Sequence, residues 1–99
     1  MARRIIWTFR AQEDRKRIFE YWNLRNKSKV YSRKLNLLFK EAILLISHYP
    51  NIGALSDDGK ARVKIVGDYL IIYEELDNDD ILILTIWDSR RNPDNFRIC

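Results

Sequence analysis

The sequence is poor in the residues from which covalent and metal-based sites are built. Its 99 residues include one cysteine, Cys99, and one histidine, His48. This excludes a disulfide framework and a cysteine-based metal site. Serine-nucleophile motifs, phosphate-binding P-loops and zinc-binding patterns are also missing. The sequence therefore predicts no metal, no cofactor and no small-molecule substrate, and we expect His48 to stabilise the end of a helix.

Long hydrophobic runs are missing as well. No run approaches the roughly 20 residues that a membrane helix requires, and the first residues lack the apolar core and cleavage site of a signal peptide. At 46% hydrophobic and 32% charged residues, the composition is typical of a globular protein. We expect one cytoplasmic domain over residues 1–99 that has no contact with a membrane.

Acidic residues are scarce in the first part of the chain. Residues 1–40 contain 12 of the 18 Lys and Arg residues but 3 of the 14 Asp and Glu residues. A solvated helix surface is one explanation of this basic first half. The other is an anionic partner, either a nucleic acid or an acidic protein segment.

The hydrophobic pattern predicts a strand followed by two helices. "RRIIWTF" at 3–9 has the β-branched and aromatic residues of a strand. The next segment, 11–26, has helical spacing, with Glu13 and Asp14 in its first turn, where the helix dipole favours anions. Ser28 is placed to cap a second helix, and Pro50 and Gly53 follow its end. Its expected buried stripe steps by three and four residues: Tyr31, Leu35, Leu38, Ala42, Leu45 and Tyr49.

Three strands are predicted in the second half. "KARVKIV" at 60–66 alternates, Gly67-Asp68 forms a two-residue hairpin turn, and "YLIIYEE" returns antiparallel. A turn at "DNDD" leads to "ILILTIW", whose two apolar faces suit a central strand. The predicted fold is an α+β domain of order β-α-α-β-β-β, with a mostly antiparallel four-stranded sheet and a helical hairpin packed on one face.

The basic residues of the second half suggest a phosphate-binding groove. Alternation in "KARVKIV" predicts Lys60, Arg62 and Lys64 side by side on the face away from the core. Arg90 and Arg91 follow the last strand, and arginine forks suit bidentate phosphate contacts. If the two groups converge, five cations share one groove. The alternative is an edge strand in which lysine prevents aggregation.

Cleavage of RNA in such a groove would require proton carriers as well as cations. A lysine with a lowered pKa could act as the base, oriented by Asp88 or Asp94. No other proton carrier is evident near the cations, so the sequence leaves open whether the protein is an enzyme.

The order of these motifs resembles the RelE/ParE superfamily of toxins from bacterial type II toxin–antitoxin modules. The likeness rests on a helical hairpin ending at "YPNIG", a basic strand, "GDYLIIYEE" and "DDILILTIWDSRRNP". It implies a toxin that inhibits growth, a cognate antitoxin that neutralises it, and a target site at the ends of the second and last predicted strands. The implied target-binding residues are Arg62, Lys64, Arg90 and Arg91.

The superfamily has two branches with different targets. RelE-like members cleave mRNA on the ribosome, which here would use Lys60, Arg62, Lys64 and Arg90; ParE-like members inhibit DNA gyrase. Leu70, Trp87 and Phe96 occupy positions where nuclease members carry polar groups. We therefore expect a ParE-like gyrase inhibitor, with a ribosome-dependent mRNA endonuclease as the alternative and a non-toxic nucleic-acid-binding domain as the second alternative.

Overall fold

The fold consists of one mixed sheet and a helical hairpin. The computed structural model describes residues 3–90. In chain order these form β1 (Ile5–Trp7), α1 (Phe9–Asn26), α2 (Val30–His48), β2 (Ala54–Leu55), β3 (Arg62–Val66), β4 (Tyr69–Glu75) and β5 (Ile81–Asp88). The sheet order is β1-β5-β4-β3-β2, and only the β1–β5 pair is parallel. The predicted α+β class and element order are confirmed, with one additional strand.

The additional strand, β2, lies in a segment predicted to be a loop. Ala54 pairs with Val63 and Leu55 pairs with Arg62. Two residues are too few to show a period, so the sequence pattern could not reveal this strand. The other turns are as predicted: Val66 pairs with Tyr69 across the two-residue turn, and β5 is an interior strand between β1 and β4.

The first helix begins earlier than predicted. Thr8 is its N-cap, and its hydroxyl oxygen accepts a hydrogen bond from the Ala11 backbone N–H at 3.1 Å. The predicted strand at 3–9 therefore ends at Trp7, and the placement of Glu13 and Asp14 in the first turn is wrong, because both follow that turn. The Thr8 hydroxyl also donates towards the carbonyl oxygen of Ile83, at 2.9 Å, which fixes the start of α1 on β5.

The second helix is rotated relative to the predicted stripe. Its sheet-facing side includes Leu35, Phe39 and Ile46, all at most 3% exposed, whereas Leu38 and Leu45 are 37% and 42% exposed. Leucines surround most of this helix, so periodicity alone did not choose the buried face. A row of exposed apolar residues lies on the side away from the sheet; we call it the outer apolar row, and it consists of Val30, Leu37 and Leu44.

The core lies between the hairpin and one face of the sheet. Phe39 packs edge-on against Tyr69, with ring centroids 5.7 Å apart. Ile71, Ile81 and Ile83 are fully buried beneath the helices. Burying each such side chain stabilises the fold by roughly 1.5–3 kcal/mol.

The loop after α2 is attached to the sheet by Tyr73. The Tyr73 hydroxyl donates to the carbonyl oxygen of Pro50 at 2.8 Å and accepts from the backbone N–H of Gly53 at 2.9 Å. A Cβ atom on Gly53 would lie 2.7 Å from the Tyr73 hydroxyl oxygen and 3.0 Å from the Val63 carbonyl oxygen. The close approach of loop and sheet therefore requires glycine at this position.

The helix α1 covers the edge of β5 that β1 leaves unpaired. β1 pairs only with residues 81–83. Beyond them, the Asp14 carboxylate accepts hydrogen bonds from the Thr85 hydroxyl and from the Ile86 backbone N–H, the second at 3.3 Å. A side chain of α1 thus occupies part of the exposed strand edge, where an unpaired strand invites aggregation.

Candidate functional site

The basic residues of β3 lie on the face opposite to the one predicted. Arg62 pairs with Tyr73 and Lys64 with Ile71, and paired residues of antiparallel strands share a face. Because Tyr73 and Ile71 belong to the core beneath the helices, Arg62 and Lys64 lie on the helix-covered face. Ile65 lies on the other face and is 67% exposed. The predicted orientation is therefore wrong.

The reason for the error lies in β4. Both faces of this strand are apolar, since Ile72 on the side away from the helices is as fully buried as Ile71 and Tyr73. Val63 and Ile65 therefore have apolar neighbours on the face away from the helices. The alternation in "KARVKIV" correctly separated cations from apolar residues, but it could not indicate which face meets the helices.

Arg62 makes contacts that hold the fold together. Its guanidinium donates to the carbonyl oxygen of Gly53 at 2.9 Å and lies 3.4 Å from that of Asn51. These are carbonyls of the loop that Tyr73 also fixes. Lys64 is half-buried in the next position on the same face, and Lys60 is exposed in the loop before β3.

The predicted five-cation groove does not form from the residues that the structure describes. Through Tyr73, Arg62 lies in the same row as Ile83, seven residues before Arg90. That separation is about 23 Å along the strand, and two strand spacings add about 10 Å across the sheet. Arg62 and Arg90 therefore cannot reach one phosphate. Arg91 and Asp94, also predicted near the site, lie outside the described residues.

Arg90 instead lies beside the end of α1. Its Nε and one terminal nitrogen donate to the two oxygens of Asp88 at 2.9 and 2.8 Å, a bidentate pair. Its guanidinium carbon is 5.7 Å from the centre of the Trp22 ring, and that of Arg25 is 5.8 Å from the same ring. The hydrogen bonds with Asp88 raise the pKa of Arg90 beyond its usual range, so the guanidinium stays charged.

A cleft of about 410 Å³ separates α1 from the end of β5. Its apolar floor includes Ile18 and Ile86. Three guanidinium groups line it, those of Arg10, Arg17 and Arg90, together with the carboxylates of Asp14 and Asp88 and the rings of Tyr21, Tyr69 and Trp87. The lining thus carries one net positive charge.

The helical side of this cleft was missed from the sequence. Arg10, Asp14 and Arg17 are spaced by four and three residues, which places them on one face of α1. Arg17 pairs with Asp14 at 2.5 Å. That spacing could have predicted the helical side of the cleft. The contribution of β5 could not be predicted, because it depends on where α1 crosses the edge of the sheet.

Tyr69 is a titratable hydroxyl that lines the same cleft as Arg90. Trp22 Nε1 donates to its oxygen at 2.7 Å. Burial raises the pKa of Tyr69 above 10.0, with Asp88 adding to the effect. The group therefore stays protonated near neutral pH and cannot act as a base. Arg90 thus keeps its positive charge at the cleft, beside the carboxylates of Asp88 and Asp14.

The positions that are polar in nuclease members are apolar in the sheet. Leu70 pairs with Ile65 on one side and with Trp87 on the other. This apolar row lies on the face away from the helices. Phe96, the third such position, lies outside the described residues. Among residues 3–90, no helix is long and apolar enough to cross a membrane.

This fold and sequence can be compared with known proteins. A family model described as the ParE toxin of the type II toxin–antitoxin system parDE matches residues 5–93. The chain therefore belongs to the ParE toxin family. A comparison with curated protein sequences finds no significant match.

The fold is also similar to a solved structure titled "Chromosomal ParDE TA system from P. aeruginosa". The TM-score is 0.74 at 17% sequence identity, over 90% of this chain and 98% of that chain. The resemblance to RelE/ParE toxins is confirmed, and with it the expectation of a ParE-like toxin whose partner is a cognate antitoxin.

Proposed function

We propose that this ParE-family toxin inhibits growth by binding DNA gyrase in the cytoplasm. The observation that carries the proposal is the ParE family match over residues 5–93. Two features of the structure support a binding mode of action. The nuclease positions Leu70 and Trp87 belong to an apolar row, and the Tyr69 hydroxyl near Arg90 stays protonated.

Arg90 is the proposed contact with the target. Its side chain is 49% exposed at the mouth of the α1–β5 cleft and is oriented by Asp88 and Trp22. The other predicted target contacts stay predictions: Arg91, Arg62 and Lys64. For Arg62, the contacts of its guanidinium with two loop carbonyl oxygens, at 3.4 and 2.9 Å, favour a structural role.

The experiment compares two activities in one extract. Inhibition of gyrase supercoiling is measured beside cuts in a translated mRNA, with the purified toxin added at the same concentrations. We expect loss of supercoiling and no new mRNA ends. Cleavage at defined codons with unchanged supercoiling would instead support the ribosome-dependent endonuclease. Normal growth on expression without antitoxin would support the non-toxic nucleic-acid-binding domain.

Substitution then tests the site. A charge-assisted hydrogen bond contributes about 1.5–3 kcal/mol, so Arg90→Ala should reduce gyrase inhibition by about 10- to 100-fold. Arg15→Ala is the matched control. Like Arg90, Arg15 lies over a tryptophan ring: its guanidinium carbon is 4.4 Å from the centre of the Trp7 ring. Arg62→Ala should lower the melting temperature. Full inhibition by a folded Arg90→Ala variant would exclude Arg90 as the contact.

The antitoxin is proposed to cover the outer apolar row with an amphipathic, acidic segment. Val30, Leu37 and Leu44 recur every seven residues and are 72%, 61% and 59% exposed, and the surrounding hairpin is basic. Helix-in-groove recognition uses such rows. Leu37→Glu should abolish co-purification with the antitoxin and leave the circular dichroism spectrum unchanged, whereas Glu41→Gln should retain the complex. Retention of the complex by Leu37→Glu would exclude this surface.

A further inference from the structure

The tip of the helical hairpin carries a patch of cations without carboxylates. We call it the hairpin-tip patch, and it consists of Arg25, Lys27, Lys29, Arg33 and Lys34. All five are exposed, and no acidic residue occurs between Glu20 and Glu41. Within residues 3–90 none of the five forms an ion pair; the paired arginines are Arg3, Arg4, Arg10, Arg17 and Arg90.

The fold gives no internal reason for this concentration of charge. Like charges spaced three or four residues apart on a helix repel each other. The first turn of α2 contains a basic residue, Arg33, and no acidic one, although the positive end of a helix dipole disfavours cations. Lys27 adopts a left-handed conformation with φ of 52°, for which glycine or asparagine is the usual residue. The clustered charges thus carry an electrostatic cost that a polyanion would offset.

The composition of the patch favours phosphates over a protein partner. Three of its five residues are lysines, and lysine is depleted in protein–protein interfaces. The patch offers little surface on which unpaired bases could stack: the exposed ring beside it is that of Tyr21, which is 49% exposed and whose hydroxyl lies 3.3 Å from an Arg25 nitrogen. The two aromatic residues of segment 24–41 face inward: Tyr31 packs edge-on against Trp22 at 4.7 Å, and Phe39 is 1% exposed. Single-stranded nucleic acids are bound largely by such stacking, so a duplex backbone is the better fit.

The size of the patch matches a groove of the double helix. Lys29 and Lys34 are separated by about 8 Å along the helix axis, and Lys27 extends the patch across the turn between the helices. The major groove of B-DNA is about 12 Å wide. Arg25 connects the patch to Arg90, because both guanidinium groups contact the Trp22 ring.

We propose that the hairpin-tip patch binds the phosphate backbone of double-stranded DNA. The contact is sequence-independent and electrostatic. The patch adjoins the outer apolar row proposed for the antitoxin, since Val30 lies between Lys29 and Arg33. The contact does not depend on gyrase as the target, since it is a direct affinity of the free toxin for DNA.

The test measures anisotropy of a fluorescein-labelled 20-bp duplex titrated with full-length toxin at several salt concentrations. We expect log K to fall with log salt at a slope of about −3 to −4, the value for three or four phosphates. Lys29→Glu/Lys34→Glu should weaken binding by at least tenfold at about 100 mM salt. Lys40→Glu/Lys60→Glu is the matched control, because it reverses the same number of charges at two exposed lysines outside the patch. It should change affinity less than threefold.

Four outcomes would overturn the proposal. The first is duplex binding without a salt slope, or no binding by the parent. The second is equal loss in the tip variant and in Lys40→Glu/Lys60→Glu, which would show an effect of net charge alone. The third is unchanged duplex binding by the tip variant together with lost antitoxin binding, which would assign the patch to a protein. Tighter binding of a single-stranded RNA of equal length would likewise exclude duplex DNA as the ligand. Thermal melting of each variant confirms that it is folded.

Discussion

The helical hairpin and the sheet differ in how they use charge. Residues 9–48 contain ten Lys and Arg residues against four Asp and Glu residues, whereas residues 49–90 contain four against nine. The acidic excess of the sheet is partly neutralised within the fold: Arg3 pairs with Glu75 at 2.5 Å, and Arg4 pairs with Asp80 at 2.6 Å. The basic hairpin tip has no such partners in the described residues.

The two regions also differ in how they use apolar residues. Ile71, Ile72, Ile81 and Ile83 of the sheet are fully buried, whereas eight large apolar residues of the hairpin are exposed. Unpaired charge and exposed apolar surface in the same region support the two partner surfaces proposed on the hairpin. The sheet holds the hairpin in place, and Arg90, the proposed target contact, follows its strand β5.

The largest effect should separate these two roles. Ile83→Ala removes a fully buried side chain of β5 and should lower the free energy of unfolding by about 2–5 kcal/mol. Leu44→Ala, in the outer apolar row, should change it by about 0.5 kcal/mol or less. Urea unfolding followed by circular dichroism measures both. Equal losses would show that the outer row is part of the core.

The next effect concerns the loop that joins the hairpin to the sheet. Gly53→Ala places a Cβ atom 2.7 Å from the buried Tyr73 hydroxyl oxygen and should destabilise the fold by about 1–3 kcal/mol through overpacking. Gly59→Ala serves as a comparison, because nothing lies within 4 Å of that site and its cost comes from the positive φ of 74° alone, roughly 1–2 kcal/mol. Unchanged stability of Gly53→Ala would contradict the close approach.

A smaller effect is expected where α1 covers the edge of β5. Asp14→Ala removes the acceptor for the Thr85 hydroxyl and the Ile86 N–H and should cost about 1–3 kcal/mol. Glu20→Ala, an exposed acidic residue of the same helix, should cost about 0.5 kcal/mol or less. Hydrogen exchange at Ile86 should accelerate in Asp14→Ala alone. Unchanged protection of that amide would show that Asp14 does not cover the edge.

The smallest expected effect is a pH dependence of stability that arises from Tyr73 in the sheet. Burial raises the pKa of Tyr73 above 10.0, so the folded state favours the neutral phenol. This contribution to stability is fully present below pH 10 and is lost as pH rises through the folded-state pKa. Thermal melting between pH 9 and about 11 should show a decline that Tyr73→Phe reduces. An equally steep decline in Tyr73→Phe would assign it to other groups, Tyr69 among them.

The sequence predicted the fold well because its signals are local. Helical spacing, the Gly67-Asp68 turn and the apolar run of β5 each specify an element without reference to the rest of the chain. The candidate site was predicted less well. Its two clusters of cations were identified, but their positions depend on register and on which face of β3 meets the helices. The register and the orientation of β3 are both set by its pairing with β4. Because β4 is apolar on both faces, its sequence does not indicate which face meets the helices.

The dependence on long-range packing also explains why Arg62 was predicted to face away from the core. An arginine that alternates with apolar residues has the pattern of a solvent-facing cation. Its bonds with the carbonyls of Asn51 and Gly53 depend on a loop that returns to the sheet as β2, a strand of two residues. Arg90, in contrast, was found by its position after the last strand, which requires no knowledge of packing.

The parallel pairing of β1 with β5 has a consequence for the order in which the fold forms. Ile5 pairs with Ile81, and β5 also supplies the partner of β4. During synthesis, β1 and the helical hairpin leave the ribosome long before this strand does, and contacts so distant in sequence form slowly. Until β5 is made, Arg90 is absent and the sheet has no interior strand to join its two ends. The basic hairpin is therefore complete before the sheet can close, and the proposed Arg90 contact is the last part of the fold to be added.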